Sequence, residues 1–402
     1  MNINRNAYWN KIKPFVDKPI IKVITGMRRV GKSYFLKQII DNLKMNGIKD
    51  SQILFVDKEN IDFDFLNDYN DLNKYIKEKF KKINLKKYIF IDEIQNIIKW
   101  EKLITSLHKS ENYDIYITGS NASLLSSELS TLIAGRYVEI NIYPLSYREF
   151  VKFTGNDFVS HEKCFSNYIK FGGMPGIFHL EQTAETIFQY LKSIYDTILL
   201  KDIVKRYNIR NIALLEKISL FMFDNIGNLI TPNSISKYLR SQKLKTYPDT
   251  IQNYLKYFTN TFIAYKVPRY NLKGKKLMEI NDKYYLNDLG IRHSLLNYRV
   301  NDISQILENI VFMELLFRGY NVTIGMQNEN EIDFIARKNN EIIYFQVAYL
   351  LASEKTIQRE FNPLMKIKNN YTKFVLSMDS EIMGDDFEGI KRMNIIDFLK
   401  GK

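Results

Sequence analysis

The 402-residue chain has a single cysteine, Cys164, so no disulfide can form within it. A buried or inert thiol in a reducing cytoplasm is the expected reading. No apolar run approaches the roughly 20 residues that a membrane-spanning helix needs. The first ten residues, Met1 to Asn10, lack the apolar core of a signal peptide, so a cytoplasmic location and no membrane partner are expected. There is no block of basic residues and no low-complexity segment. Lys81-Lys82 and Lys86-Lys87 read as solvated helix and loop positions.

What the chain does have is core material and positive charge. Hydrophobic residues make up 45%, ample for packed cores, and the length suits two or three domains. The net charge of +13 fits a polyanionic partner such as double-stranded DNA or another nucleic acid. Its weight is reduced by a general excess of Lys, Asn, Ile and Tyr.

The first chemical signal is Gly26-Met27-Arg28-Arg29-Val30-Gly31-Lys32-Ser33, which matches G-x-x-x-x-G-K-[ST]. An apolar run, Ile20–Thr25, precedes it as a buried strand, and Tyr34–Ile40 opens a helix. Glycines let backbone N–H groups wrap phosphates, and the helix N-terminus adds the positive end of its dipole. Gly26, Arg28, Arg29, Gly31, Lys32, Ser33 and Tyr34 are the candidate nucleotide contacts. Lys32 is expected at the β- and γ-phosphates and the Ser33 hydroxyl at Mg²⁺.

A second run, Tyr88–Asp92, is apolar and ends in Asp92-Glu93, as a buried parallel strand does when it delivers carboxylates at its C-terminal edge. Asp92 is the expected partner of Mg²⁺, and Glu93 is placed to take a proton from the attacking water. A third strand, Tyr113–Thr118, ends in Gly119-Ser120-Asn121. Ser120 or Asn121 is the candidate polar group between γ-phosphate and water, the sensor position of AAA-type ATPases; the alternative is a turn that caps the next helix. Arg136 is a candidate for stabilising transition-state charge, in cis or from a neighbouring subunit of a homo-oligomer, or else forms a structural ion pair. No Asn-Lys-x-Asp follows the third strand, and the layout favours ATP over GTP.

Strands and helices alternate from about 20 to 145, with further core strands at Ile53–Asp57 and Tyr137–Ile142. Residues 146–205 read as mainly helical, broken by the turn Phe171–Gly176, in the place of a helical lid. Residues 206–300 outline a winged helix: helices at 230–239 and 249–258, a strand at 264–270, a basic turn at Lys273-Gly274-Lys275-Lys276, and a strand at 283–286. DNA binding by it would put Asp249–Lys256 in a major groove and the three lysines on phosphates; the alternative is a packing or assembly module.

In residues 301–402, a helix at 306–316 precedes strands at 320–324, 331–336 and 342–348, the order of restriction-endonuclease-like nucleases. Glu308, Asp333 and Gln346 fall at metal-ligand positions. Ala348 stands where such sites carry a lysine, so a degenerate, non-cutting domain is expected; an active nuclease needs a lysine from elsewhere, such as Lys355 or Lys366.

Taken together, these motifs resemble a widespread family of prokaryotic AAA-type ATPases over nearly the whole chain. The family-specific marks are the Arg-Arg inside the phosphate loop and Ala134-Gly135-Arg136-Tyr137. Ile91–Gln95, Thr118–Asn121, Pro144–Phe150, Phe171–Pro175 and Glu331–Phe334 agree. The resemblance implies an α/β chain: a P-loop AAA-type parallel-sheet core (1–145), a helical lid (146–205), a winged helix (206–300) and a restriction-endonuclease-like α/β domain (301–402). ATP and Mg²⁺ are the implied cofactors. Three functions stay open: an ATPase switch acting on nucleic acid; a slow signalling switch that docks a partner protein through its C-terminal domain; and an ATP-regulated DNA nuclease.

Overall fold

A computed structural model of the protein describes residues 4–110, 112–122, 135–155, 160–278, 281–379 and 386–401. It divides into two compact units, residues 1–143 with 260–262, and residues 144–259 with 263–402. No helix among the described residues is long and apolar enough to cross a membrane.

The first unit holds α1 (Asn6–Ile12), β1 (Ile21–Thr25), α2 (Lys32–Met45), β2 (Ile53–Asp57), α3 (Tyr69–Lys79), β3 (Lys87–Asp92), α4 (Trp100–Lys109), β4 (Tyr113–Gly119) and β5 (Tyr137–Asn141). Its strands form one parallel sheet in the order β2-β3-β4-β1-β5. Parallel strands are covered on both faces, and β1 is accordingly buried at all five positions. Helix α2 buries Phe35, Leu36, Ile39, Ile40 and Leu43, a 3.6-residue rhythm. Asp68 caps α3, whose Leu72 and Ile76 join Ile89, Ile91, Leu103, Ile104 and Ile117 in the core. Each such aliphatic side chain stabilises the fold by about 1.5–3 kcal/mol.

Register decides what shares an edge. Thr25 pairs with Gly119, Asp57 with Asp92, and Ile91 with Ile117. The residues that follow β1, β3 and β4 therefore emerge together at the C-terminal edge, beside the point where β4 enters between β1 and β3. Open α/β sheets bind ligands at such a point. At the start of the same strands, Lys22 and Asp114 form a fully buried ion pair, to which the Tyr116 hydroxyl donates at 2.9 Å.

The second unit begins with α5 (Tyr147–Thr154), α6 (His161–Phe171) and α7 (Ala184–Thr197), the last running into a π-helical segment at Ile198–Lys205. Cys164 is buried in α6. Next come α8 (Ile212–Asp224), β6 (Leu229–Ile230), α9 (Pro232–Ser241), α10 (Pro248–Asn260), β7 (Ala264–Val267), β8 (Arg269–Asn271), β9 (Lys276–Leu277), β10 (Asp282–Leu286) and α11 (Leu289–Leu296). The last stretch holds α12 (Ile303–Phe317), β11 (Asn321–Gln327), β12 (Asn330–Lys338), β13 (Glu341–Val347), α13 (Glu354–Met365), β14 (Thr372–Ser377), β15 (Asp386–Phe387), β16 (Ile390–Asn394) and α14 (Ile395–Lys400).

Two sheets organise this unit: an antiparallel three-stranded sheet, β6-β10-β7, and an eight-stranded sheet, β15-β16-β14-β13-β12-β11-β8-β9. The strand expected at 264–270 is two strands in two sheets. Pro268 has no N–H to give a ladder, and the chain changes partners across it, β7 pairing with β10 and β8 with β11. The basic turn thus belongs to a hairpin, β8–β9, on the edge of the larger sheet. The expected boundaries at 205 and 300 both fall inside this second unit.

Candidate functional site

The phosphate loop leaves β1 at Gly26, whose φ is +146°; a Cβ there would lie 2.3 Å from the Ile142 carbonyl oxygen. Arg29 and Gly31 also have positive φ, at 68° and 101°, so the loop doubles back and α2 starts at Lys32. The first N–H groups of α2 have no partner within the helix and face the loop. Behind it, the buried Arg5 guanidinium donates to the Val30 carbonyl at 3.1 Å and the Tyr143 carbonyl at 2.8 Å. Nothing in the local sequence around Arg5 announces that role.

Lys32 is 4% exposed. Its ammonium donates to the Met27 carbonyl at 3.2 Å and lies 3.3 Å from Glu93 Oε1. Glu93 leaves β3 with φ +52°, which turns its side chain into the site. Ser120 donates to Glu93 Oε2 at 3.0 Å, and the Gln95 amide donates to the same oxygen. Thr118 links the two acids: its hydroxyl donates to Asp92 Oδ1 and accepts from the Glu93 N–H at 2.9 Å.

The two carboxyls are shifted in opposite directions on balance. Burial raises Asp92 above the ordinary carboxyl range, only partly offset by hydrogen bonds from Ser33 and Thr118. Burial pushes Glu93 up as well, but Lys32, with help from Gln95 and Arg28, outweighs it and holds Glu93 below its usual value. One acid is therefore poised to stay ionised. The other sits with a hydroxyl in a donor set of the hard-oxygen kind that suits Mg²⁺.

The structure thus brings together Gly26, Gly31, Lys32, Ser33, Asp92, Glu93 and Ser120. Asn121 follows directly and is buried. Arg28 pairs with Glu59, while Arg29 and Tyr34 are exposed beside the loop. Arg136 is not brought to the site. It is exposed, its carbonyl accepts from the Ile21 N–H at 2.9 Å, and it immediately precedes β5, at the opposite end of the strands from Gly26. Ala134, the first residue of its motif, lies outside the described residues. Thr118 and Gln95 were not anticipated; a threonine closing β4 in register with β3 is the signal for the first.

A second charged cluster lies in the C-terminal unit. Glu308 on α12, Asp333 on β12 and Gln346 on β13 come together as their spacing suggests. Gln346 Oε1 accepts from the Asp333 N–H at 3.4 Å, and Asp333 Oδ2 accepts from the Val347 N–H at 2.8 Å. The lysine beside them is neither of those expected. Lys355 is exposed, and Lys366 donates to Asn330 Oδ1 at 3.4 Å. It is Lys283 of β10, 3.0 Å from Glu308 Oε1 and 2.7 Å from Glu331 Oε1. Among the described residues, no three His, Cys, Asp or Glu side chains are placed to hold a metal. The Lys283 ammonium stands among these carboxylates.

Comparison with known proteins places the chain. The pattern of the AAA domain family matches residues 18–151, and that of a domain of unknown function, DUF8612, matches residues 162–302. An uncharacterized protein of Haemophilus influenzae is 40% identical over 400 residues, which cover 99% of this chain and 98% of that protein. The uncharacterized protein MJ1544 of Methanocaldococcus jannaschii is 31% identical over 431 aligned residues, covering 99% of this chain and 90% of that one. The chain belongs to the family of these two proteins.

The fold of this family member is similar to that of the Walker-type ATPase PABY2304 of Pyrococcus abyssi, with a TM-score of 0.52 at 13% identity, over 74% of this chain and 96% of that one. Its residues 18–151 match an AAA domain, and the fold of its first unit is that of a P-loop ATPase.

Proposed function

We propose that the chain is a Mg²⁺-dependent ATPase that works as a nucleotide-driven switch on nucleic acid. The observation that carries the ATPase reading is the contact of Lys32 and Ser120 with one carboxylate, Glu93, at the mouth of the phosphate loop. Phosphate oxygens compete with Glu93 for the Lys32 ammonium. Once Lys32 turns to phosphate, Glu93 is left to accept a proton from water, with Ser120 and Gln95 fixing its orientation. Asp92 and Ser33 would hold Mg²⁺, which when bound neutralises phosphate charge. General-base removal of a proton contributes about 10²–10⁴-fold to such a reaction.

The nucleic-acid part rests on the second unit. The order α8-β6-α9-α10-β7-β10, with the sheet β6-β10-β7, supports a winged-helix reading of this segment. Asp249, Gln252, Asn253 and Lys256 form an exposed face of α10. Just before α10, Arg240, Lys243, Lys245 and Tyr247 line a 570 Å³ cavity, and Tyr247 is 80% exposed. Cations beside an exposed aromatic suit a phosphate backbone and its bases. Lys273, Lys275 and Lys276 are exposed on the β8–β9 hairpin.

The sequence α12-β11-β12-β13-α13-β14 supports a restriction-endonuclease-like reading of the C-terminal sheet. Lys283 is a lysine from elsewhere of the kind an active nuclease needs, but its direct pairing with Glu308 and Glu331 favours a non-cutting domain, and with it the second functional reading, a slow switch that docks a partner protein. ATPase rate measured against protein concentration, with and without double- and single-stranded DNA, separates the readings. Stimulation by DNA supports the first. Tight ATP binding with negligible turnover and no response to DNA supports the second.

A further inference from the structure

The acid cluster of the C-terminal unit is built around a cation that the chain itself supplies. Asn309 of α12 clasps the end of β10: its Oδ1 accepts from the Leu286 N–H at 2.7 Å and its Nδ2 donates to the Leu286 carbonyl at 2.9 Å. That clasp sets Glu308, the residue before it, against the β10 side chains that point the same way. The Tyr285 hydroxyl and the Lys283 ammonium both donate to Glu308 Oε1. Phe312 stacks on the Tyr285 ring with centroids 4.6 Å apart and walls the cluster with apolar surface. Lys283 is 4% exposed, and Glu331 takes a second of its three N–H donors.

The remaining acids of the neighbourhood have their own partners. Asp333 accepts from the Val347 backbone, and Glu360 is paired with the adjacent Arg359 at 2.6 Å. The Gln346 carbonyl oxygen, the third ligand position of the nuclease pattern, accepts from the Asp333 N–H at 3.4 Å. Ammonium–oxygen separations of 2.7 and 3.0 Å are hydrogen-bond distances. A divalent cation of the Mg²⁺ type needs its oxygens at about 2.0–2.1 Å. Both carboxylates are therefore engaged directly by the ammonium, which occupies the position a metal would need. The charge bookkeeping agrees: a buried ammonium is tolerated only where carboxylates compensate it.

We propose that the Lys283 ammonium is this chain's built-in replacement for a divalent cation at the Glu308–Glu331–Asp333 cluster, so that the C-terminal domain takes no metal of its own while Lys283 is in place. The lysine arrives from β10, a strand of the three-stranded sheet, and enters the acid cluster of the eight-stranded one. It thus joins the winged-helix-like segment to the C-terminal sheet where a nuclease would hold its metal. This does not depend on the ATPase reading, because none of these residues belongs to the phosphate site.

The test is a Mn²⁺ titration of the full-length chain without nucleotide, in an Asp92→Asn background so that the phosphate site contributes nothing. Calorimetry and the electron-paramagnetic signal of unbound Mn²⁺ are the readouts. In the presence of Lys283, no uptake that Asp333→Asn removes is expected. Lys283→Met should take up one equivalent at least tenfold more tightly, its melting temperature should rise with Mn²⁺, and adding Asp333→Asn should erase both effects. Uptake by the Lys283-bearing chain that Asp333→Asn abolishes overturns the proposal. So does a Lys283→Met chain with an unchanged circular dichroism spectrum and no gain in uptake. Should Lys283→Met fail to fold, the titration of the Lys283-bearing chain decides alone, absence of Asp333-dependent uptake upholding the proposal and its presence overturning it.

Discussion

Lys32 in the first unit and Lys283 in the second are both buried against acids, and the two are held in opposite ways. Lys32 begins a helix at the end of a doubled-back loop, with one carboxylate at 3.3 Å and one backbone carbonyl at 3.2 Å. Lys283 sits within a strand between two carboxylates at 3.0 and 2.7 Å. Equal burial therefore hides different chemistry. A long single contact can be exchanged for a phosphate oxygen, and the helix N-terminus beside it favours that exchange. Two short contacts in a pleated strand make a fixed counterion. The acids report the same difference. Lys32 holds Glu93 below its usual range, ready to act as a base. At the other cluster, burial alone would lower Lys283, and Glu308, Asp333 and Glu331 together raise it instead.

The largest effects should come from the exchangeable site. Lys32→Ala should abolish detectable ATP binding in a fluorescent-nucleotide titration while leaving the fold intact. Glu93→Gln should keep binding and cut turnover by about 10²–10⁴-fold. An unchanged hydrolysis rate in Glu93→Gln would remove the general base from the scheme. The fixed site should behave in the reverse manner. Lys283→Ala leaves buried carboxylates without their cation and should cost about 3–5 kcal/mol of stability, with ATP affinity unaltered. Chemical denaturation beside the same nucleotide titration checks both halves. Equal losses of ATP affinity in the two variants would dissolve the contrast.

How much of this was legible follows from how local each signal is. The phosphate loop, Asp92 and Glu93 were readable because each lies in one contiguous run whose spacing carries the chemistry. Thr118 was not, since its position between the two acids is a matter of register between β3 and β4. Arg136 shows the same limit in reverse: its motif suggests a site, and pairing of Tyr137 with Ile21 puts it at the far end of the strands. Glu308, Asp333 and Gln346 were found from the order of elements, whereas Lys283 escaped because it comes from a different sheet. The strand expected at 264–270 missed only the consequence of Pro268, which lets one extended run serve two sheets. An arginine contribution from Arg136 would have to reach a neighbouring copy, so Arg136→Ala should lower the ATPase rate only at concentrations where the chain assembles.

Another buried base sharpens the comparison. His293 is fully buried, and its neighbour is a cation, Arg292, instead of a carboxylate. Burial first, and then Arg292, push it down from 6.5 to about 4. The unfolded chain then takes up a proton near pH 6.5 that the folded chain refuses until about pH 4. Stability from this group is full above the unfolded value and falls as pH drops through that window, by up to about 3 kcal/mol. Denaturant midpoints measured from pH 7 to pH 4 should fall more in the parent chain than in His293→Gln, the comparison being needed because buried Asp288, raised to about 6, acts in the opposite direction over the same range. A slope of the same size in His293→Gln would assign the acid sensitivity to other groups.

The smallest effect concerns lysines that are not buried at all. Lys243 and Lys245 are exposed beside Tyr247, so their charge costs nothing to keep and is screened by salt. If they meet phosphates, each contributes through counterion release, and the logarithm of the DNA affinity should fall linearly with the logarithm of salt concentration. Replacing Lys245 by alanine should then reduce that slope by about 1 and weaken binding evenly across sequences. Replacing Lys283, whose charge is spent on Glu308 and Glu331, should leave the slope where it was. A slope unaffected by Lys245→Ala, or DNA binding insensitive to salt, would detach the 240–247 surface from nucleic acid and shift weight to the docking switch. The pair of measurements thus asks of every lysine the question that separates Lys32 from Lys283, whether its charge is already committed within the chain.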